Sequence, residues 1–230
     1  MKLVLFDIDG TILWSDGAGR RAMTAALTRV FGGAGPTEYR YDGKTDPQIV
    51  RDLMRAAGHD DDTIDARMEA VASSYLTLLE QELATGRRGM RLFDGVADLI
   101  TALEARPDAV VGLLTGNFCG GAMLKLSAAG LDVARFRVGA YGSDHAHRPA
   151  LPAVALQRAR ETLGLELGGA DLVVIGDTPA DIECARSVGA RAVAVATGRF
   201  SVDELAAHAP AAVFATLADT RAVLEAIFDA

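Results

Sequence analysis

The feature that most constrains the fold is a series of short, continuous apolar runs. They occupy residues 3–7, 109–115, 136–141, 172–177, 192–197 and 212–217. Continuous rather than alternating runs of this length are typical of strands buried on both faces of a parallel sheet. Segments of helical length separate the later runs, at residues 96–105, 122–129, 152–163 and 180–188. Strands that alternate with helices predict an α/β fold, a doubly wound parallel sheet of the Rossmann-like type.

One long interval breaks this alternation. Between the first two runs the chain has amphipathic helical patterns at residues 19–31, 46–57 and 63–83, and no clear strand. The interval is much longer than a simple crossover between strands requires. We therefore predict two domains, an α/β core (residues 1–14 and 89–230) and an inserted helical domain (residues 15–88). Asp16-Gly17 and residues 86–89, at its borders, have a composition typical of hinges.

The side chains that follow the predicted strands have the chemistry of an anion and metal site. Carboxylates, a hydroxyl, an amide and a guanidinium follow four strands, in the order Asp7, Asp9, Thr115, Asn117, Arg148, Asp177 and Asp181. The carboxyl ends of parallel strands form one edge, where ligands bind. Taken singly, each motif also fits a turn or a helix cap. Their common position at strand ends favours convergence on one site.

This set of groups meets the needs of phosphoryl transfer. A carboxylate such as Asp7 can attack phosphorus and form an aspartyl-phosphate. Mg²⁺ prefers oxygen ligands and offsets the repulsion between two anions, and Asp7 and Asp177 are its natural ligands. Asp9 can protonate the leaving group and then activate water. The predicted phosphate-binding residues are Thr115, Gly116, Asn117 and Arg148.

Three motifs resemble those of the haloacid dehalogenase superfamily, and the resemblance spans nearly the whole chain. The DxDGT motif stands here as Asp7-Ile8-Asp9-Gly10-Thr11, the threonine motif as Leu114-Thr115-Gly116-Asn117, and the GDxxxD motif as Gly176-Asp177-Thr178-Pro179-Ala180-Asp181. The insertion resembles the helical cap of phosphoglycolate phosphatase-like and β-phosphoglucomutase-like members. The resemblance therefore implies a haloacid dehalogenase-like core with an α-helical cap domain.

The resemblance also implies a role for each motif residue. Asp7 would be the nucleophile and a magnesium ligand, and Asp9 the acid/base and a ligand through its backbone carbonyl. Asp177 would ligate the metal, and Asp181 would support the ligands from behind. Thr115 would bind phosphate.

One position departs from the family pattern. Arg148-Pro149 stands where Lys-Pro is usual. An arginine can hold the nucleophile and the phosphate through its planar fork, although it does not simply replace lysine. We assign Arg148 this role.

The second aspartate narrows the reaction. Dehalogenases of the superfamily lack an acid/base aspartate at the position of Asp9, so its presence favours a phosphatase that acts on phosphate esters. A phosphomutase shares the same motifs and stays an alternative. Within the cap, Gly43, Lys44 and Thr45 are candidates for substrate selection, although the same segment also fits an ordinary turn capped by Thr45.

Composition and charge restrict the partners. The net charge of −8 argues against broad nucleic-acid binding, and no apolar run is long enough for a membrane span. The two cysteines have no CxxC spacing and no histidine cluster nearby, so we interpret them as reduced, partly buried residues of a cytoplasmic protein. The expected ligand is a small phosphorylated metabolite, whose identity the sequence leaves open, as it does the oligomeric state. A receiver-like phosphoacceptor and a member that has lost activity and only binds are alternatives of other classes.

Overall fold

The apolar runs form a six-stranded parallel sheet in the computed structural model, which describes residues 1–85 and 89–229. The strands of the described residues are β1 (Lys2–Phe6), β2 (Leu13–Trp14), β3 (Arg91–Leu92), β4 (Ala109–Thr115), β5 (Val138–Tyr141), β6 (Leu172–Gly176), β7 (Arg191–Val195) and β8 (Ala212–Phe214). The sheet has the order β5-β4-β1-β6-β7-β8, and β2 pairs separately with β3. The order reverses beside β1, and a crevice that can hold a ligand forms at such a point.

The helices agree with the sequence pattern in most places. They are α1 (Ala18–Phe31), α2 (Asp46–Ala56), α3 (Asp61–Thr85), α4 (Val96–Glu104), α5 (Cys119–Ala128), α6 (Leu151–Leu163), α7 (Pro179–Ser187), α8 (Val202–Ala206) and α9 (Thr220–Phe228). Helix α5 begins three residues before its predicted start, and α8, α9 and the short β2–β3 pair were not predicted. Within the part of the chain described here, no helix is both long and apolar enough to cross a membrane.

Both faces of the sheet are buried, which confirms the predicted doubly wound fold. Along β1, Val4 and Phe6 point into one apolar cluster, with α4, α5 and α9, while Leu3 and Leu5 point into the other, with α6 and α7. All four side chains are fully buried. Burial on both faces explains why the strands are continuously apolar rather than alternating.

Helices α1, α2 and α3 lie between β2 and β3 and have an apolar cluster of their own. Tyr75 and Leu79 of α3 are buried in this cluster, and Phe118, which precedes α5, packs into it from the core. We refer to residues 15–88 as the insertion. Of its two predicted hinges, Asp16 has a positive φ of 50°. Most of the other, residues 86–88, lies outside the described residues.

The N-terminus of α2, residues Thr45 and Asp46, docks on the core through three hydrogen bonds. The backbone N–H of Asp46 donates to the carbonyl of Gly116 at 2.7 Å. The Asp46 carboxylate accepts from the N–H of Phe118 at 2.7 Å, and the Thr45 hydroxyl donates to the carbonyl of Ala146 at 2.7 Å. A Cβ at Gly116 would lie 2.1 Å from the carbonyl oxygen of Lys44. The close contact therefore requires glycine at position 116.

Asp46 gives a test of this docking. Burial raises the pKa of Asp46 to about 6, although Lys125 and the Phe118 N–H oppose the shift. The folded protein then binds this proton more tightly than the unfolded chain, so wild-type stability rises as pH falls through about 6. Asp46→Asn keeps an acceptor and removes the charge. We expect it to raise the free energy of unfolding above pH 7 by about 1–3 kcal/mol, with the gain vanishing near pH 4.

Urea unfolding between pH 4 and 8 measures this difference. The matched control is Asp98→Asn, because Asp98 lies exposed on α4. The difference in free energy of unfolding between Asp98→Asn and wild type should not depend on pH between 6 and 8. An Asp46→Asn protein less stable than wild type at every pH would contradict the expectation.

Candidate active site

Three aspartates form a buried cluster at the carboxyl ends of β1 and β6. Asp7 directly follows β1, Asp177 directly follows β6, and Asp181 lies in the first turn of α7. They are 5%, 4% and 2% exposed, and each offers an oxygen within 4.8 Å of the others. The two strands are neighbours in register, with Phe6 opposite Ile175, so their ends meet. The fold therefore brings together carboxylates that are 170 residues apart in sequence.

The guanidinium of Arg148 contacts two of these carboxylates. Its Nη2 lies 3.2 Å from Oδ1 of Asp7 and 2.5 Å from Oδ1 of Asp181. Arg148 opens a short 3₁₀ turn before α6 and is 5% exposed. The second oxygen of Asp181 accepts from the backbone and hydroxyl of Thr178, which caps α7. Asp181 is thus held by Arg148 and Thr178 and supports the site from behind.

The cluster carries more negative charge than Arg148 offsets. Burial raises the pKa of Asp7 to about 6, opposed by Arg148. Burial, together with the charges of Asp181 and Asp7, raises the pKa of Asp177 well above its usual range. When they are ionised, the three carboxylates outnumber the one guanidinium and leave a net negative charge in a buried space. An oxygen-only ligand set of this kind fits a hard divalent cation.

Two glycines border the Asp177 carboxylate closely. Gly10 has a φ of 89°, and a Cβ there would lie 2.3 Å from Oδ2 of Asp177. At Gly198, in the loop after β7, a Cβ would lie 1.8 Å from the same oxygen. The Thr11 hydroxyl donates to Oδ1 of Asp177 at 3.1 Å. Glycine at positions 10 and 198 therefore leaves the space that the Asp177 carboxylate occupies, and Thr11 holds one of its oxygens.

A second group of polar side chains lies beside the cluster. The amide Nδ2 of Asn117 donates to Oδ2 of Asp9 at 2.9 Å and to Oγ1 of Thr115 at 2.7 Å. Lys125 donates to the same Asp9 oxygen at 2.6 Å and to Oδ1 of Asn117 at 2.7 Å. Burial raises the pKa of Asp9, but Lys125 and Asn117 outweigh it and hold that pKa below its ordinary value.

Lys125 was not predicted as a site residue. It lies on α5 and is 4% exposed. A signal was present in the sequence, because the buried face of α5 consists of Gly121, Ala122, Lys125 and Leu126. A lysine on the apolar face of a helix is rarely buried without a partner.

A cavity of about 880 Å³ joins these groups to the insertion. From the core it is lined by Asp7, Asp9, Thr115, Asn117, Lys125 and Arg148, among others. From the insertion side come Arg20, Tyr39, Tyr41, Gly43, Lys44 and Tyr75. Trp14, at the junction, is 46% exposed and also faces the cavity.

The three predicted specificity residues occupy different environments. Gly43 packs against Thr178 and Ala180 of the core, and Lys44 donates to the hydroxyl of Tyr39 at 2.5 Å, on the cavity wall. Thr45 is fully buried, and its hydroxyl accepts from the N–H of Gln48 as the cap of α2. The Thr45 side chain is therefore engaged in helix capping and docking.

The comparisons with known proteins agree with this geometry. Residues 128–220 match the family model described as HAD-hydrolase-like, a range that includes Arg148, Asp177 and Asp181. Many solved structures with the same fold carry the names of haloacid dehalogenase-like hydrolases or related phosphatases. The predicted resemblance to the haloacid dehalogenase-like hydrolases is confirmed. No curated protein sequence matches the chain at a significant level.

Three similar structures illustrate how completely this haloacid dehalogenase-like fold extends over the chain. A hydrolase from Pseudomonas syringae has a TM-score of 0.74 at 20% identity and covers 99% of each chain. CbbY from Rhodobacter sphaeroides, in complex with phosphate, has a TM-score of 0.69 at 19% identity, covering 95% of this chain and 96% of that one. A predicted phosphoglycolate phosphatase from Haemophilus somnus has a TM-score of 0.69 at 21% identity, covering 97% and 98%. At these identities the likeness concerns the fold.

The excess charge of the aspartate cluster gives a prediction for metal binding. We expect MgCl₂ to raise the Tm of the wild-type protein, because a cation that binds the folded state at about 100 times its Kd adds roughly 2.7 kcal/mol. Asp177→Asn should raise the Tm without metal, since it removes repulsion among the three carboxylates, and should diminish the increment that Mg²⁺ produces. Thermal unfolding with EDTA and with MgCl₂ measures both quantities.

The exposed variant Asp98→Asn should keep the wild-type increment. An Asp177→Asn protein with the full Mg²⁺ increment would mean that the cation binds elsewhere.

Proposed function

We propose that the chain is a Mg²⁺-dependent phosphatase that hydrolyses a small phosphomonoester through an aspartyl-phosphate on Asp7. The observation that carries the proposal is the position of Asp7, among Asp177, Asp181 and Arg148 and at the floor of a cavity that Asp9 also faces. The hydrolase family match supports the same class of reaction.

In the first step a carboxylate oxygen of Asp7 attacks the phosphorus, and the bond from phosphorus to the leaving oxygen breaks. Arg148, 3.2 Å from Asp7, keeps that carboxylate in place. When bound by Asp7, Asp177 and the backbone carbonyl of Asp9, Mg²⁺ would offset the repulsion between carboxylate and phosphate. Asp9 gives its proton to the leaving oxygen. The arriving phosphate favours the protonated form of Asp9, because it brings negative charge close to it.

In the second step water attacks the phosphorus of the aspartyl-phosphate. Asp9, now ionised, accepts the proton of that water, and the bond between phosphorus and the Asp7 oxygen breaks. The products are inorganic phosphate and a free Asp7. The hydroxyl of Thr115, the backbone of Gly116 and the amide of Asn117 would hold the phosphate oxygens as charge shifts between them.

The substrate would be a small metabolite held under the insertion. The cavity of about 880 Å³ exceeds what inorganic phosphate needs and is walled by residues of the insertion. We propose that the insertion acts as a cap domain that closes over the substrate and excludes water. Gly43 and Lys44 lie on the cavity wall and would contribute to selection, while Thr45 would fix their position.

Release of phosphate from a panel of phosphorylated metabolites, with Mg²⁺ present, tests the proposed reaction. Asp7→Asn keeps the size of the side chain but removes the nucleophilic carboxylate. We expect turnover to fall by at least roughly 10³-fold in Asp7→Asn and to disappear in wild type when EDTA removes the metal.

The exposed variant Asp98→Asn should turn over as wild type does. Wild-type activity in Asp7→Asn would contradict the mechanism. Stoichiometric labelling by acetyl phosphate without turnover would indicate a receiver-like phosphoacceptor instead. Transfer of phosphate between hydroxyls of one substrate, without release, would indicate a phosphomutase.

Arg148 gives a separate prediction. Arg148→Ala removes the cation that contacts Asp7 and Asp181, so the nucleophile loses its fixed position and the phosphate loses a donor. We expect kcat/KM to fall by roughly 10²-fold or more, as for the loss of other charge-stabilising donors. Steady-state kinetics on the best substrate of the panel measure the loss. Unchanged turnover in Arg148→Ala would show that Arg148 has no such role.

A further inference from the structure

We infer that Lys125 is the positioning residue for the proposed acid/base Asp9 and for Asn117. The inference rests on the proposed function, because it names the group that makes Asp9 effective in that reaction. Its basis is a closed network of hydrogen bonds among Asp9, Thr115, Asn117 and Lys125, next to the aspartate cluster.

The contacts of Lys125 are directed at the site. Its ammonium donates to Oδ2 of Asp9 at 2.6 Å and to Oδ1 of Asn117 at 2.7 Å. The side chain starts from the last turn of α5 and points toward the helix N-terminus, as long side chains on helices do. It therefore reaches back to the end of β4, where Asn117 lies.

The ammonium also determines the orientation of the Asn117 amide. A lysine ammonium can only donate hydrogen bonds, so the oxygen of Asn117 faces Lys125. The amide nitrogen then faces the other way, toward Oγ1 of Thr115 and Oδ2 of Asp9. Without Lys125 the oxygen of Asn117 would lose its donor, and only the contacts of the amide nitrogen with Asp9 and Thr115 would hold the side chain. The Lys125 ammonium thus contacts both the proposed acid/base, Asp9, and a proposed phosphate-binding residue, Asn117.

Asp9 needs such support because it is more exposed than the nucleophile. Its side chain is 41% exposed, compared with 7% for that of Asp7. One carboxylate oxygen accepts from Ser15 at 3.3 Å, and the other accepts from both Asn117 and Lys125. The Lys125 contact is the shortest of the three and involves a full charge, and such hydrogen bonds are the stronger ones. Lys125 therefore keeps Asp9 in one rotamer at the edge of the cavity.

The insertion closes over Lys125 from the other side. A Cβ at Gly19 of α1 would lie 3.2 Å from the Lys125 ammonium and 3.6 Å from the hydroxyl of Tyr75 in α3. Gly19 thus leaves the space that the ammonium occupies. A buried ammonium is costly unless it is paired. Packing alone would be served better by an apolar residue, so the cost indicates a role in the site.

The test compares two esters that differ in their need for a proton. The alkoxide of an alkyl phosphate is a poor leaving group and needs protonation. The p-nitrophenolate of p-nitrophenyl phosphate leaves readily without it. Lys125→Met keeps the length of the side chain and removes the ammonium. If Lys125 acts through Asp9, kcat/KM in Lys125→Met should fall at least roughly 10-fold more for the alkyl phosphate than for p-nitrophenyl phosphate, because general acid catalysis contributes about 10²–10⁴-fold. A residue needed only for folding would lower both values equally.

A double-variant cycle decides whether the effect passes through Asp9. In an Asp9→Asn background, the further change Lys125→Met should leave the ratio of the two kcat/KM values unchanged. The matched control is Lys2→Met. Lys2 lies at the start of β1, and among the described residues its ammonium donates a hydrogen bond to the carbonyl of Ala170. This variant should keep both wild-type values.

The remaining outcomes separate the two proposals. If wild type releases phosphate from no member of the metabolite panel and from neither ester, the proposed function fails and this inference fails with it. Two results with an active wild type would overturn the inference alone. In the first, Lys125→Met lowers kcat/KM equally for both esters. In the second, Lys125→Met changes the ratio of the two kcat/KM values as much in the Asp9→Asn background as in wild type. Should Lys125→Met lose its cooperative unfolding transition, Lys125→Gln, which keeps a donor without the charge, is measured against the same two outcomes.

Discussion

The contact of Arg148 with Asp7 and Asp181 is the interaction on which the site depends. Three buried carboxylates repel one another, and a single guanidinium within 3.2 Å of two of them is their nearest compensation. Removing one partner of such a buried ion pair lowers the free energy of unfolding by about 3–5 kcal/mol. The surrounding backbone is shaped to this cluster, since Gly10 and Gly198 leave the space that Asp177 fills. The excess charge that Arg148 leaves is what a divalent cation would neutralise.

Two neighbouring aspartates are placed in opposite electrostatic environments. Burial raises the pKa of Asp7, whereas Lys125 and Asn117 outweigh burial and lower that of Asp9. A cation bound by Asp7 would lower the pKa of that carboxyl, and an arriving phosphate would raise the pKa of Asp9, which gives the order that the proposed roles require. In this protein the difference in environment follows from geometry, because Asp7 continues a buried strand while Asp9 lies beyond it, within reach of α5.

Docking of the insertion and organisation of the site involve the same few residues. Gly116 accepts a hydrogen bond from Asp46, and the next residues along, Asn117 and Phe118, bind Asp9 and the Asp46 carboxylate. The end of β4 thus contacts the site on one side and the insertion on the other. A movement of the insertion would act on both, which is the physical basis for the proposed role of the insertion as a cap.

The sequence by itself determined the sheet, the helices of the insertion and the strand-end motifs. Short, continuous apolar runs that alternate with helices predict a parallel sheet, and the carboxyl ends of parallel strands meet, so Asp7, Asp177 and Arg148 could be expected to converge. Only the tertiary structure decided the partners of Lys125 and Asp46, because burial of a charge depends on which distant side chains face it. It also decided that Thr45 holds the insertion against the core, since its hydroxyl bonds to Ala146, 101 residues away. Local patterns fix elements, whereas pairing of buried polar groups is a property of the packed chain.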